Sequence, residues 1–144
     1  MTPNHIHLLF NHIPILGVPT GLLLLLVGLK TRNEGLRHFS FLFFLAVALL
    51  TLPAYFSGEG AEEIVKELPG VEKSYIHDHE EAADWAFSFT LATGGLGLVA
   101  WLLRRKESLQ KKVVWALIFM ALFATSTLVR TGLLGGQIRH TEIR

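Results

Sequence analysis

Four apolar blocks divide the chain. Met1 to Leu29, His38 to Gly58, Trp85 to Leu103 and Val113 to Val129 contain no Asp, Glu, Lys or Arg, and each approaches or exceeds the ~20 apolar residues that cross a hydrocarbon core. One such block could be a buried core helix, but four in 144 residues predict four spans, at about 5–29, 37–56, 77–104 and 111–136. The fold class is all-α, a single domain built as a four-helix transmembrane up-and-down bundle. Pro14 and Pro19 fall inside the first span and should bend it, while Leu52-Pro-Ala-Tyr55 should kink or end the second. Ser57-Gly-Glu-Gly60 reads as a turn, Ala61 to Leu68 as a short surface helix and Leu68-Pro-Gly70 as its breaker, so that 57–76 forms an outer acidic loop. Gly94, Gly95 and Gly97 on the third span, with Thr131, Gly132, Gly135 and Gly136 on the fourth, are small positions where helices approach closely in lipid.

Composition agrees with the blocks: 51% of residues are hydrophobic and the mean hydropathy is +0.44. The first block is not expected to be a cleaved secretory signal, because no Lys or Arg precedes it and Lys30 and Arg32 follow it. The formal charge of +1 comes without a basic stripe, and no nucleic-acid partner is expected. The absence of cysteine excludes disulfides, iron–sulfur ligation and thioether-attached haem. No Ser-His-Asp set, phosphate loop or nucleotide motif is visible, so a hydrolase, kinase or transporter is not expected.

Charge is distributed unevenly between the loops. Lys30, Arg32, Arg37, Arg104, Arg105, Lys106, Lys111 and Lys112 flank the first and third connections, whereas the second carries Lys66 and Lys73 against nine acidic residues between Glu59 and Asp84. The positive-inside rule then predicts a multi-pass protein with both termini and the acidic loop extracytoplasmic; in a bacterium the expected location is the inner (cytoplasmic) membrane.

Stacking the helices at about 1.5 Å per residue puts His12, Arg130, Tyr55, Asp84 and Trp85 near one level, about 26 Å above the basic end. A higher layer holds His5, His7, Glu59 to Glu63, His77, His79, Glu80 and His140, which leaves His38 alone at the other end. Neutral imidazole ligates haem iron as well as zinc, copper and non-haem iron, and carboxylates suit the latter group. The candidate cofactor residues are His12, His79, His140 and Arg130, with Gly132, Gly135 and Gly136 making room for a macrocycle below His140. The candidate metal set is His79, His140, His12, Glu63 and Glu80, with His5 or His7 as further donors. His5 and His7, at the chain start, are otherwise expected as surface groups. Arg130 is costly within a span and should face a partner: Asp84 in an ion pair, or a haem propionate or substrate anion.

Asn11-His-Ile-Pro-Ile15 and Leu134-Gly-Gly-Gln-Ile-Arg-His140, with His79 opening the third span, resemble the motifs of an uncharacterised group of bacterial four-helix membrane proteins. That group is loosely related to two-haem b-type membrane cytochromes. The resemblance implies His12, His79 and His140 as cofactor residues and, by looser analogy, haem b. The tyrosine that precedes the last histidine in that group is absent here, and the non-haem alternative stays open.

The leading expectation is a membrane-bound b-type cytochrome-like electron-transfer protein or subunit with a His-ligated haem near the outer face. His79 and His140 would be its axial ligands, or His12 in place of one. The alternative is a non-haem Zn, Cu or Fe membrane protein using the outer His and Glu residues. A third reading is a structural subunit without a cofactor. The bilayer is the expected partner, with a redox partner or a second copy besides.

Overall fold

The computed structural model describes residues 2–140. These residues form five α-helices: α1 (Pro3–Phe10), α2 (His12–Lys30), α3 (Glu34–Val65), α4 (Lys73–Leu102) and α5 (Glu107–Arg139), with one 3₁₀ turn at Leu103–Arg105. α1 and α2 together make the first of four helical stretches long and apolar enough to cross a membrane. Each of α2 to α5 packs on its neighbour in sequence and α2 also meets α5, closing an up-and-down four-helix bundle.

Local chemistry explains the boundaries. Pro14 has no N–H to offer the Phe10 carbonyl and its ring crowds that carbonyl; the first helix is interrupted at Asn11 and restarts at His12. Pro14 then sits in the opening turn of α2, where a missing N–H is harmless. Pro19 lies inside α2 and Pro53 inside α3, and both helices continue past them. Between α2 and α3 the chain turns tightly. Arg32 adopts a left-handed backbone with φ 53°, the Asn33 N–H reaches the Gly28 carbonyl at 3.0 Å, and the Asn33 side chain caps α3 by accepting from the Leu36 N–H at 2.9 Å.

The second span is longer than its sequence suggests. Gly58 and Gly60 do not make a turn: α3 runs unbroken to Val65, so that the separate surface helix at Ala61 is its continuation and the acidic connection shrinks to 66–72. The physical reason is lateral packing. A Cβ on Gly60 would lie 2.9 Å from the Pro3 Cβ, so glycine here lets α1 come against α3 rather than bending the chain. The break expected at Pro69-Gly70 does occur, with Gly70 at φ 78°.

The core is made of two phenylalanines among smaller and branched side chains. Val18, Leu22, Leu25, Phe41, Phe44, Val47, Ala100, Leu117, Ala121 and Ala124 are buried together. α3 and α4 approach most closely at Gly94, whose Cβ position would collide with Ala48 Cβ, and at Gly97, where it would lie 2.6 Å from the Phe41 carbonyl oxygen. The outer surface carries Leu16, Leu23, Phe39, Trp115, Phe119 and Phe123, all exposed, the inversion a lipid-facing bundle requires.

Candidate functional site

Two half-buried imidazoles meet at the end of the bundle opposite the basic connections. His7 comes from α1 and His79 from α4; their ring centroids are 6.4 Å apart and their planes are inclined by 77°. Each ring is held by a carbonyl on a different helix. His7 Nδ1 lies 2.9 Å from the Ala54 carbonyl of α3, and His79 Nδ1 lies 3.0 Å from the Thr131 carbonyl of α5. A carbonyl only accepts, so in both rings Nδ1 carries the proton and donates, which leaves Nε2 with its lone pair uncommitted by these bonds. All four spans contribute to this arrangement.

The sequence fits it locally. His79 lies against Gly135, where a Cβ would sit 3.0 Å from the imidazole Cε1 and 3.2 Å from Nδ1. Glycine there leaves the ring room to reach the carbonyl four residues earlier, and a Cβ would push it back by a few tenths of an ångström. A Cβ on Gly58 would lie 3.9 Å from the His7 ring, an ordinary contact. Asn4 and His7 on α1 and Asn11, its C-cap with a helical backbone, fall at i, i+3 and i+7 and so share one helical face. The Oδ1 atoms of Asn4 and Asn11 are buried without a hydrogen-bond partner, so polar capacity remains unspent one turn to either side of His7. Beside the pair, Tyr55 donates its hydroxyl to Asp84 Oδ1 at 2.8 Å and stacks on Phe87 with centroids 3.8 Å apart, fastening α3 to α4 where His7 and His79 project.

Of the residues expected at the site, His79 is in it. His12 is exposed, with Nδ1 3.3 Å from the Leu8 carbonyl one turn earlier, and His140 ends α5 in an exposed position. Arg130 is exposed, next to the Thr131 that holds His79. It does not pair with Asp84, whose carboxylate takes the Tyr55 hydroxyl instead; among the described residues the ion pair formed is Arg37 with Glu34 at 3.3 Å. Glu63 and Glu80 are exposed on α3 and α4. No three His, Asp or Glu side chains among the described residues are gathered as a metal-holding group, so His12, His79, His140, Glu63 and Glu80 are not assembled into one. His5 bonds Thr2 at 2.9 Å and is exposed, as expected of a surface group. His7 is not one. The signal that could have found it is the Asn4–His7–Asn11 stripe, because a polar face on an otherwise apolar span has to be turned inward.

A family model described as a predicted membrane protein, DUF2231, matches residues 3–141. The chain belongs to the DUF2231 family of membrane proteins. No curated protein matches it, and neither does any solved structure. In this DUF2231 chain the match spans all four membrane-length stretches, the His7–His79 pair and Gly135 beside it.

Proposed function

We propose that this DUF2231 protein is a membrane-bound b-type cytochrome-like electron-transfer protein or subunit, with haem b held between His7 and His79. The observation that carries the reading is the separation of the two rings. Histidines that would share one metal have to come from different helices to within a few ångströms of each other, since each metal–imidazole bond is about 2.0 Å. The ring centroids here are 6.4 Å apart. The Nδ1–H bonds to the Ala54 and Thr131 carbonyls add the support characteristic of ligating histidines: they select the tautomer with Nε2 unprotonated, orient the ring and raise its basicity.

The donor set favours haem over zinc or non-haem iron. Zinc takes three or four protein ligands and non-haem iron commonly three, more than this pair offers, whereas haem iron draws its equatorial nitrogens from the porphyrin and asks the protein for axial ligands alone. Haem would supply a one-electron carrier. The chain's own part is to hold two neutral imidazoles rigidly from α1 and α4 and to surround them with helix rather than water. The basic connections support an orientation in a bacterial inner membrane with the histidine end extracytoplasmic, where a redox partner or a second copy would exchange electrons with the site.

Absorption spectroscopy of the detergent-purified protein, produced with haem supplied, tests the reading. The expected result is a Soret band and visible bands that sharpen on reduction; their absence, with metal analysis finding zinc, copper or no metal, overturns it. Gly135→Ala is expected to displace the His79 ring and lower haem affinity roughly tenfold, the usual scale for losing the group that orients a ligating histidine. Haem titration measures this.

A further inference from the structure

We propose that the opposite end of the bundle contains a binding site for the phosphate of an anionic membrane lipid, formed by Arg37, Arg104 and Lys111. The cavity there measures ≈ 250 Å³, room for a headgroup phosphate. It is lined by Glu34, Arg37 and His38 of the first turns of α3, Arg104 of the 3₁₀ turn, and Glu107, Gln110 and Lys111 of the first turns of α5. Three permanent cations face two carboxylates, and one carboxylate is already engaged, since Glu34 Oε1 lies 3.3 Å from Arg37 Nη2.

The arrangement is built rather than incidental. Arg37 Nε is buried and has no hydrogen-bond partner, although a guanidinium N–H out of water strongly favours an anionic acceptor. The start of α3 lies close against the end of α2 here: a Cβ on Gly28 would lie 2.9 Å from Arg37 Cγ and 3.0 Å from its backbone N. The Arg104 guanidinium is set over the Trp101 ring at 4.2 Å and donates to the Trp101 carbonyl at 3.3 Å. Buried Gln110 donates to the Ala100 carbonyl at 3.0 Å, tying α5 to the end of α4 beside the cavity. The starts of α3 and α5 both border it, so their positive dipole ends add to the field.

The apolar surroundings select a lipid rather than a free anion. Phe39, Leu102 and Leu109, each within a few residues of the lining, are exposed, which gives acyl chains a surface to lie on while the phosphate enters the cavity. Basic pockets between membrane helices recognise anionic headgroups by this combination. The site does not depend on any cofactor at the histidine end.

Native mass spectrometry of the full chain, delipidated in detergent and titrated with phosphatidylglycerol, phosphatidylcholine or inorganic phosphate, tests it. Phosphatidylglycerol is expected to bind at least about fivefold more tightly than phosphatidylcholine. Lys111→Gln, an exposed change that leaves the helix packing alone, is expected to weaken phosphatidylglycerol binding about fivefold, and Arg37→Gln with Arg104→Gln to abolish the preference. A Lys30→Gln, Arg32→Gln variant on the neighbouring turn should retain it. Equal binding of the two lipids, an equal loss in the Lys30, Arg32 variant, or inorganic phosphate binding as tightly as phosphatidylglycerol would each overturn the proposal.

Discussion

His79→Ala and His7→Ala are each expected to abolish stable haem binding, whereas His12→Ala and His140→Ala leave it intact. The first pair removes an imidazole from the two-ring arrangement whose centroids lie 6.4 Å apart. The second pair alters exposed rings, His12 bonded to the Leu8 carbonyl at the end of α1 and His140 at the end of α5. Because the remaining histidine of a broken pair keeps its carbonyl bond, the helices should stay assembled and the loss should be confined to the cofactor. The check is haem content per chain after size-exclusion chromatography, alongside helicity by circular dichroism. If His12→Ala or His140→Ala empties the protein while His7→Ala does not, the axial ligands lie elsewhere. His79→Gln separates roles further: it keeps a polar side chain in the space beside Gly135 and removes the ligating nitrogen, so it too should lose haem.

Gly97→Val is expected to be the most damaging of the single changes in the helix packing. The added Cβ would lie 2.6 Å from the Phe41 carbonyl oxygen and 3.2 Å from Phe44 Cβ, and the first of these neighbours is backbone, which cannot rotate aside. Overpacking of a close-packed interior costs about 1–3 kcal/mol, and here relief requires α3 and α4 to separate along their length, breaking the contact at Gly94 and Ala48 as well. Gly95→Val is the matched control, since no atom outside its local chain lies within 4 Å of its Cβ position. Denaturant or thermal unfolding in detergent should show a clear loss of stability for the first and little change for the second. Similar behaviour of the two would mean that α3 and α4 do not meet at these glycines.

The membrane architecture is legible in the sequence because four charge-free blocks of span length in so short a chain are too many to bury in one another, and all four are helices in the structure. The helix boundaries are less so. Ser57-Gly-Glu-Gly60 carries a turn composition, yet Gly60 serves lateral packing against Pro3, a role that depends on a partner helix more than fifty residues away in the chain. Likewise Gly135 is readable as space near a histidine, but not which one: stacking by height points to His140, and the structure puts His79 there. His79 is visible because it opens a span. His7 sits at a chain start, where surface exposure is the ordinary expectation, and what anchors it is a backbone carbonyl, Ala54, that no side-chain pattern reveals. Level alone matches Arg130 to Asp84; the distance between helix faces, which rise per residue does not give, sends Asp84 to Tyr55 instead.

The most direct test of the His7–His79 assignment is electron paramagnetic resonance of the ferric protein. Two imidazoles whose planes stand 77° apart predict a low-spin ferric signal of the strongly anisotropic kind that nearly perpendicular axial ligands produce, lost in His7→Ala and in His79→Ala. A high-spin signal from a single axial histidine, or a low-spin signal unchanged by either substitution, would contradict it.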